Sequence, residues 1–153
     1  MTLSLEFKEA IWKTAVSVIT ERVRDARHVL HELQESANSE TKSTAGDKYE
    51  TARETLQQEI NREGNRLHNL LQTQAAVHTI DPHIGCHAVK MGTVVETDKG
   101  VFFISVSLGK LTVASKQVVC ISLDSPLGIA LLGKKSGEKI TVNTQSYFVQ
   151  NVI

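Results

Sequence analysis

Between Trp12 and Ala37 the apolar residues Trp12, Val16, Ile19, Val23, Ala26, Leu30, Leu33 and Ala37 recur at alternating intervals of four and three. Two apolar positions per heptad, held over several turns, predict a coiled-coil seam rather than the broader stripe of an ordinary surface helix. A second seam runs through Tyr49, Ala52, Leu56, Ile60, Glu63, Leu67, Leu70 and Gln74. The polar stretch from Asn38 to Gly46 separates them and carries no seam residue. Two helices of matched length around a short link predict an antiparallel hairpin. Facing residues in such a hairpin keep a constant sum of residue numbers. Ala37 with Tyr49, Leu30 with Leu56, Ala26 with Ile60, Ile19 with Leu67 and Val16 with Leu70 all obey this. The fold-back therefore falls near the middle of the polar link, and at 1.5 Å per residue each arm is roughly 45 Å long. Glu63 faces Val23 in this register, and Gly64 weakens a helix interior by about 1 kcal/mol. A thin, bendable arm is expected.

Beyond residue 80 the period changes. Residues 1–80 hold only Gly46 and Gly64 and no proline, whereas residues 81–153 hold every other glycine and both prolines. The segment Asp81–Gly85 contains Pro82, which disfavours helix at the residue before it, and reads as a linker. Short apolar runs follow at 94–97, 101–106, 111–113, 118–121, 139–142 and 147–149, and Asp98-Lys99-Gly100 supplies a hairpin turn. One short helix interrupts them. Ser125 is a good N-cap, Pro126 suits the first helical position and Gly133 the residue after the end. The expected architecture is α+β: an N-terminal antiparallel coiled-coil hairpin (residues 1–80), then a small antiparallel β domain with one short helix (residues 81–153). So small a β core needs extra cover, which the base of the arm is expected to give.

Composition narrows the function classes. The 153 residues are 41% apolar but only 5% aromatic, and 17 basic residues cancel 17 acidic ones. A balanced charge gives no general attraction to nucleic acid or to an anionic membrane surface. The longest apolar runs fall well short of the ~20 residues a membrane span needs. The start of the chain lacks the basic, apolar and small-residue segments of a secretion signal. Two cysteines, Cys86 and Cys120, are too few for a disulfide framework. A soluble cytoplasmic protein without membrane contact is expected. His83, Cys86 and His87 are ligand-type residues, but no second cluster follows them, so they point to neither zinc nor a nucleophilic pair.

The stretch Ser125-Pro-Leu-Gly-Ile-Ala-Leu-Leu-Gly-Lys-Lys-Ser-Gly-Glu138 closely resembles the C-terminal domain of the Gre transcript-cleavage factors of bacteria. Asp47-Lys-Tyr-Glu-Thr-Ala-Arg-Glu54 is similar to the family's segment near the tip of its hairpin. The resemblance spans nearly the whole chain and implies a coiled-coil hairpin followed by an FKBP-like β domain. It also implies RNA polymerase as partner, with the β domain on the rim of the secondary channel and the arm reaching toward the catalytic centre. On this resemblance Asp124, Ser125 and Pro126 are the polymerase-binding residues. Family members carry two acidic residues at the tip that help hold a Mg²⁺ ion while the polymerase hydrolyses its own RNA, a role that suits carboxylate oxygens on a hard cation.

This chain departs from that pattern, because Lys42 and Ala45 stand where the acids belong. Glu40 and Asp47 lie nearby, so the tip candidates are Glu40, Lys42 and Asp47. A lysine beside the ion opposes its binding and suits RNA phosphate instead. The expected role is a polymerase-binding elongation regulator that stimulates cleavage weakly if at all. It has no cofactor of its own, shares Mg²⁺ with polymerase at most transiently, and touches nascent RNA only within the complex. Two alternatives stand beside this. One is a prolyl isomerase on a helical arm, which would need an aromatic pocket from Phe102, Phe103, Tyr147 and Phe148; the other is a helical-hairpin adaptor.

Overall fold

The computed structural model describes residues 3–40 and 47–153, without the side chains of residues 40 and 47–49. Helix α1 spans Leu5–Glu40 and helix α2 spans Asp47–His78, and together they form the expected hairpin. At 1.5 Å per residue the 36 residues of α1 are about 54 Å long. The Ser4 hydroxyl accepts the Phe7 amide and caps the start of α1.

The chain divides into two compact units, Ile19–Thr73 and the remainder. In the first, Ile19, Val23 and Ala26 are buried and Leu30, Leu33 and Ala37 half-buried. Facing positions Leu56, Ile60, Glu63, Leu67 and Leu70 are half-buried too. Ser36 shares a shallow groove with Ala52, Thr55, Leu56 and Glu59, the placement that the antiparallel register requires. Glu63 keeps its carboxylate 3.4 Å from Arg66 one turn on, which answers its place in an apolar seam.

The second unit contains Met1–Val18, Gln74–Ile153 and therefore the base of both helices. Here the seam differs from the sequence pattern. The buried residues are Phe7, Ile11 and Ala15, while Trp12 and Val16 are half-buried. Trp12 instead donates its indole N–H to the Val77 carbonyl at 3.0 Å and meets the His78 ring edge-on. The physical reason is a third layer. The Lys8 ammonium reaches the Ile84 carbonyl, and Lys116 lies over the Phe7 ring. The helix base thus buries a face against the linker and sheet as well as against α2.

The β domain has six strands: β1 Val94–Thr97, β2 Gly100–Ser105, β3 Gly109–Val113, β4 Lys116–Ser122, β5 Lys139–Val142 and β6 Gln145–Val152. Their order is β3-β4-β2-β1-β6-β5. Neighbours are antiparallel except β2 and β4, which run parallel with Val101 beside Val118. That pair departs from the all-antiparallel expectation. It arises because the chain leaves β2, passes to the edge as β3 and returns as β4 between them. Asp98 and Lys99 form the β1–β2 turn, with Thr97 opposite Gly100. The two other tight hairpins hold Ala114, Ser115, Asn143 and Thr144 at positive φ, the form that matches strand twist. Val89, Val95, Phe102, Ile104, Leu131, Ile140 and Val149 make the core cluster on the side where helix α3, Pro126–Leu131, packs.

Candidate polymerase-docking face

Strand β4 ends at Ser122, and the next six residues build a tightly bonded corner. The Ser122 carbonyl accepts from the Ser125 hydroxyl (2.6 Å) and the Ser125 amide (3.1 Å), and the Ser122 hydroxyl accepts the Asp124 amide (3.0 Å). Ser125 in turn receives the Gly128 amide at 3.0 Å, which makes it the N-cap of α3 with Pro126 in the first turn. Proline is favoured there because its missing N–H has no helical partner to lose. Gly128 sits so close that a Cβ on it would stand 2.1 Å from the Ser122 carbonyl oxygen. Only glycine fits, so the corner can close completely.

The inner side of α3 is anchored by fully buried Leu131. Gly133, at φ +78°, ends the helix and donates its amide to Val89 at 2.8 Å. What remains outside is distinctive. Asp124 and Pro126 are exposed, while Ser125 is half-buried by its capping bonds. Ile129 is 63% exposed and Leu132 53% exposed. A carboxylate, a proline ring and two branched apolar side chains thus lie on α3 and at its two ends. Burial of Ile129 and Leu132 by a partner would remove apolar surface at about 25 cal/mol per Å². Ser125 is a structural cap, and the outward groups are Asp124 and Pro126.

The family resemblance points to Asp124, Ser125 and Pro126 and not to Ile129 or Leu132. A signal was present: seven consecutive residues from Pro126 to Leu132 carry no charge, and a six-residue helix cannot bury every side of itself. Lys134 lies 3.6 Å from Glu138, and the Glu138 carboxylate also accepts the Lys135 amide, so these contacts are made within the loop after α3. Of the aromatic residues weighed for a proline-binding pocket, Phe102 and Phe103 lie in the core. Of the tip candidates, Lys42 lies outside the described residues, as do the side chains of Glu40 and Asp47. Cys86 is turned toward Lys8, 3.8 Å from its ammonium nitrogen. No helix among the described residues is long and apolar enough to cross a membrane.

Two solved structures align with the chain at 18% identity and a TM-score of 0.36. One is GreA factor homolog 1 (Gfh1) of Thermus thermophilus, matched over 92% of this chain and 96% of that one. The other, described as the transcription factor Gfh1, is matched over 92% and 94%. No curated protein sequence matches. Residues 87–152 match the family model of the C-terminal domain of the transcription elongation factors GreA and GreB, a stretch that includes all six strands and α3. Over residues 87–152, most of its β domain, the chain is thus similar to the C-terminal domain of the Gre-type elongation factors.

Proposed function

We propose that the protein is an RNA polymerase-binding elongation regulator that docks through the outer face of α3 and acts through the secondary channel. The observation that carries this reading is the match of residues 87–152 to the GreA/GreB C-terminal domain, with Asp124 and Pro126 exposed on a corner that Gly128 and Ser125 hold rigid. A rigid corner loses little conformational entropy on binding, so its few exposed groups contribute more of their contact energy. The helical hairpin is the element that enters the channel. Lys42 and Ala45 replace the acids that the family resemblance expects at the tip, and a cation there opposes Mg²⁺. Stimulation of transcript cleavage is therefore weak or absent.

The test is capture of core RNA polymerase by the full-length protein. Asp124→Ala together with Pro126→Ala should weaken binding at least about tenfold, equivalent to 1.4 kcal/mol, with an unchanged circular dichroism spectrum. Full binding by that variant would move the docking face elsewhere, and failure of the wild type to bind would end the reading. In backtracked complexes, Lys42→Asp with Ala45→Glu should raise RNA cleavage above the wild-type level. Strong wild-type cleavage that survives loss of both Glu40 and Asp47 carboxylates would overturn this view of the tip.

A further inference from the structure

Lysine is among the residues least often fully buried, yet Lys8 is 1% exposed. Its Nζ donates to the Ile84 carbonyl at 2.7 Å and lies 3.8 Å from Cys86 Sγ. Cys86 is 8% exposed. Both side chains line a cavity of about 260 Å³, shared with Asp81 and Lys90. That space is ample for a molecule near the size of water, whose share of liquid volume is about 30 Å³. An amine and a thiol from positions 78 residues apart thus meet in a sheltered place that a small oxidant can enter.

We propose that Lys8 and Cys86 are a peroxide-responsive pair, joined by oxidation into a sulfenamide that ties the base of α1 to the linker. In the first step the Cys86 sulfur attacks one oxygen of hydrogen peroxide. The S–O bond forms as the O–O bond breaks, and the other oxygen leaves as water with the thiol proton. Sulfur loses two electrons and peroxide gains them, giving a sulfenic acid. In the second step the Lys8 amine attacks that sulfur. The S–N bond forms, the S–O bond breaks, and hydroxide leaves as water with a proton from nitrogen. The protein loses two hydrogens, and one peroxide becomes two waters. A thiol reductant reverses the link.

Three features favour capture over further oxidation. The amine already touches the sulfur, so the second step is intramolecular and effectively at high concentration. Burial slows the approach of outside thiols to the sulfenic acid, so the neighbouring amine reacts first, while excess reductant still reaches the finished link with time. Attack needs a neutral amine, and burial moves Lys8 in that direction, lowering its pKa against the opposing pull of Cys86 and Asp81. Lys90 adds to the lowering.

The experiment treats the full-length protein with hydrogen peroxide and follows intact mass and peptide maps. Wild type should lose two hydrogens and yield one linked pair of peptides holding Lys8 and Cys86, released by dithiothreitol. Because a Cys86–Cys120 disulfide loses the same mass, the control is Cys120→Ser. That variant should still lose two hydrogens, and failure to do so would overturn the proposal. Cys86→Ser and Lys8→Met should abolish the loss. Lys8→Arg keeps a buried cation without a nucleophilic amine, so it should stop at sulfenic acid even if Lys8→Met folds poorly. A two-hydrogen loss that persists in Lys8→Arg, or a wild-type Cys86 that ends as thiol or sulfinic acid, would also overturn it. The linked protein should melt at a higher temperature than the reduced one, and the shift should vanish in Cys86→Ser.

Discussion

The unit Ile19–Thr73 and the unit containing the β domain are built from similar residues but reach different degrees of burial. In the arm, burial among the described residues is reached only at Ile19, Val23 and Ala26 near its base, and the leucines Leu30, Leu56, Leu67 and Leu70 are half-buried. In the other unit Phe103, Ile104, Leu131, Val118 and Val149 are fully enclosed. Two helices alone can cover only one stripe of each other, whereas a sheet with a helix on it encloses side chains on all sides. Helical stability in such an arm comes from that one stripe, with little margin. The comparison separates an element kept together by local periodicity from one kept together by a core. It also explains why the buried face of α1 shifts to Phe7, Ile11 and Ala15 at the base, where linker and sheet add a third layer.

The largest test of that difference is a pair of truncations. Leu131→Ala removes a fully buried side chain and should cost about 2–5 kcal/mol. Leu67→Ala removes one that water already reaches and should cost about 1 kcal/mol, since the penalty follows the apolar area lost. Urea denaturation of both variants measures this. Amide exchange should show the same order, with residues 19–73 exchanging faster than β2 and β4. Equal costs, or uniform protection, would mean that the arm is as well supported as the sheet.

The same contrast decides what could be read from the sequence. The hairpin was legible because its seam repeats over many turns and because both helices agree on one register. The six strands and the cap at Ser125 were legible from short signals with a local cause, such as Pro126 after a serine. Features made by contact between distant segments were not. Nothing near Lys8 in the sequence marks it as buried, since its partners are Ile84 and Cys86. The parallel pairing of β2 with β4 depends on where β3 goes, not on the composition of either strand. Asp124, Ser125 and Pro126 became candidates for docking through family resemblance, not through any local signal of partner binding. The exposure of Ile129 and Leu132 beside them required the fold.

A second, smaller test sharpens the view of the arm. Gly64 lies in the interior of α2, and a Cβ placed on it would meet nothing within 4 Å. Gly64→Ala should therefore stabilise the protein by about 1 kcal/mol, by raising helix propensity and narrowing the unfolded ensemble. The gain should appear as slower amide exchange in α2 near residue 64. If the glycine serves bending instead, the variant should be more stable and yet a poorer partner for polymerase, which the capture assay would show.

The smallest effects set two neighbours on α1 against each other. Lys8 turns into the base, whereas Glu9 stays at the surface with its carboxylate 2.7 Å from Lys13. Burial lowers the Lys8 pKa from its ordinary 10.5, so across the interval below 10.5 the unfolded chain binds more protons than the folded one. Stability then rises with pH through that interval, because the cost of a buried ammonium is relieved as it loses its proton. Lys8→Met should flatten the rise. The hydrogen bond and charge of Lys13 hold the Glu9 carboxyl below the usual carboxylate range, so its pairing helps above the ordinary carboxylate pKa and fades as pH falls through the lowered one. An exposed pair of this kind adds little, because solvent screens it and ordering two side chains costs entropy. Lys13→Ala should return the Glu9 titration, followed by NMR, to the ordinary range without a measurable change in melting. A clear loss of stability at neutral pH in Lys13→Ala, or an unchanged alkaline slope in Lys8→Met, would show that depth of burial is not what separates these two positions.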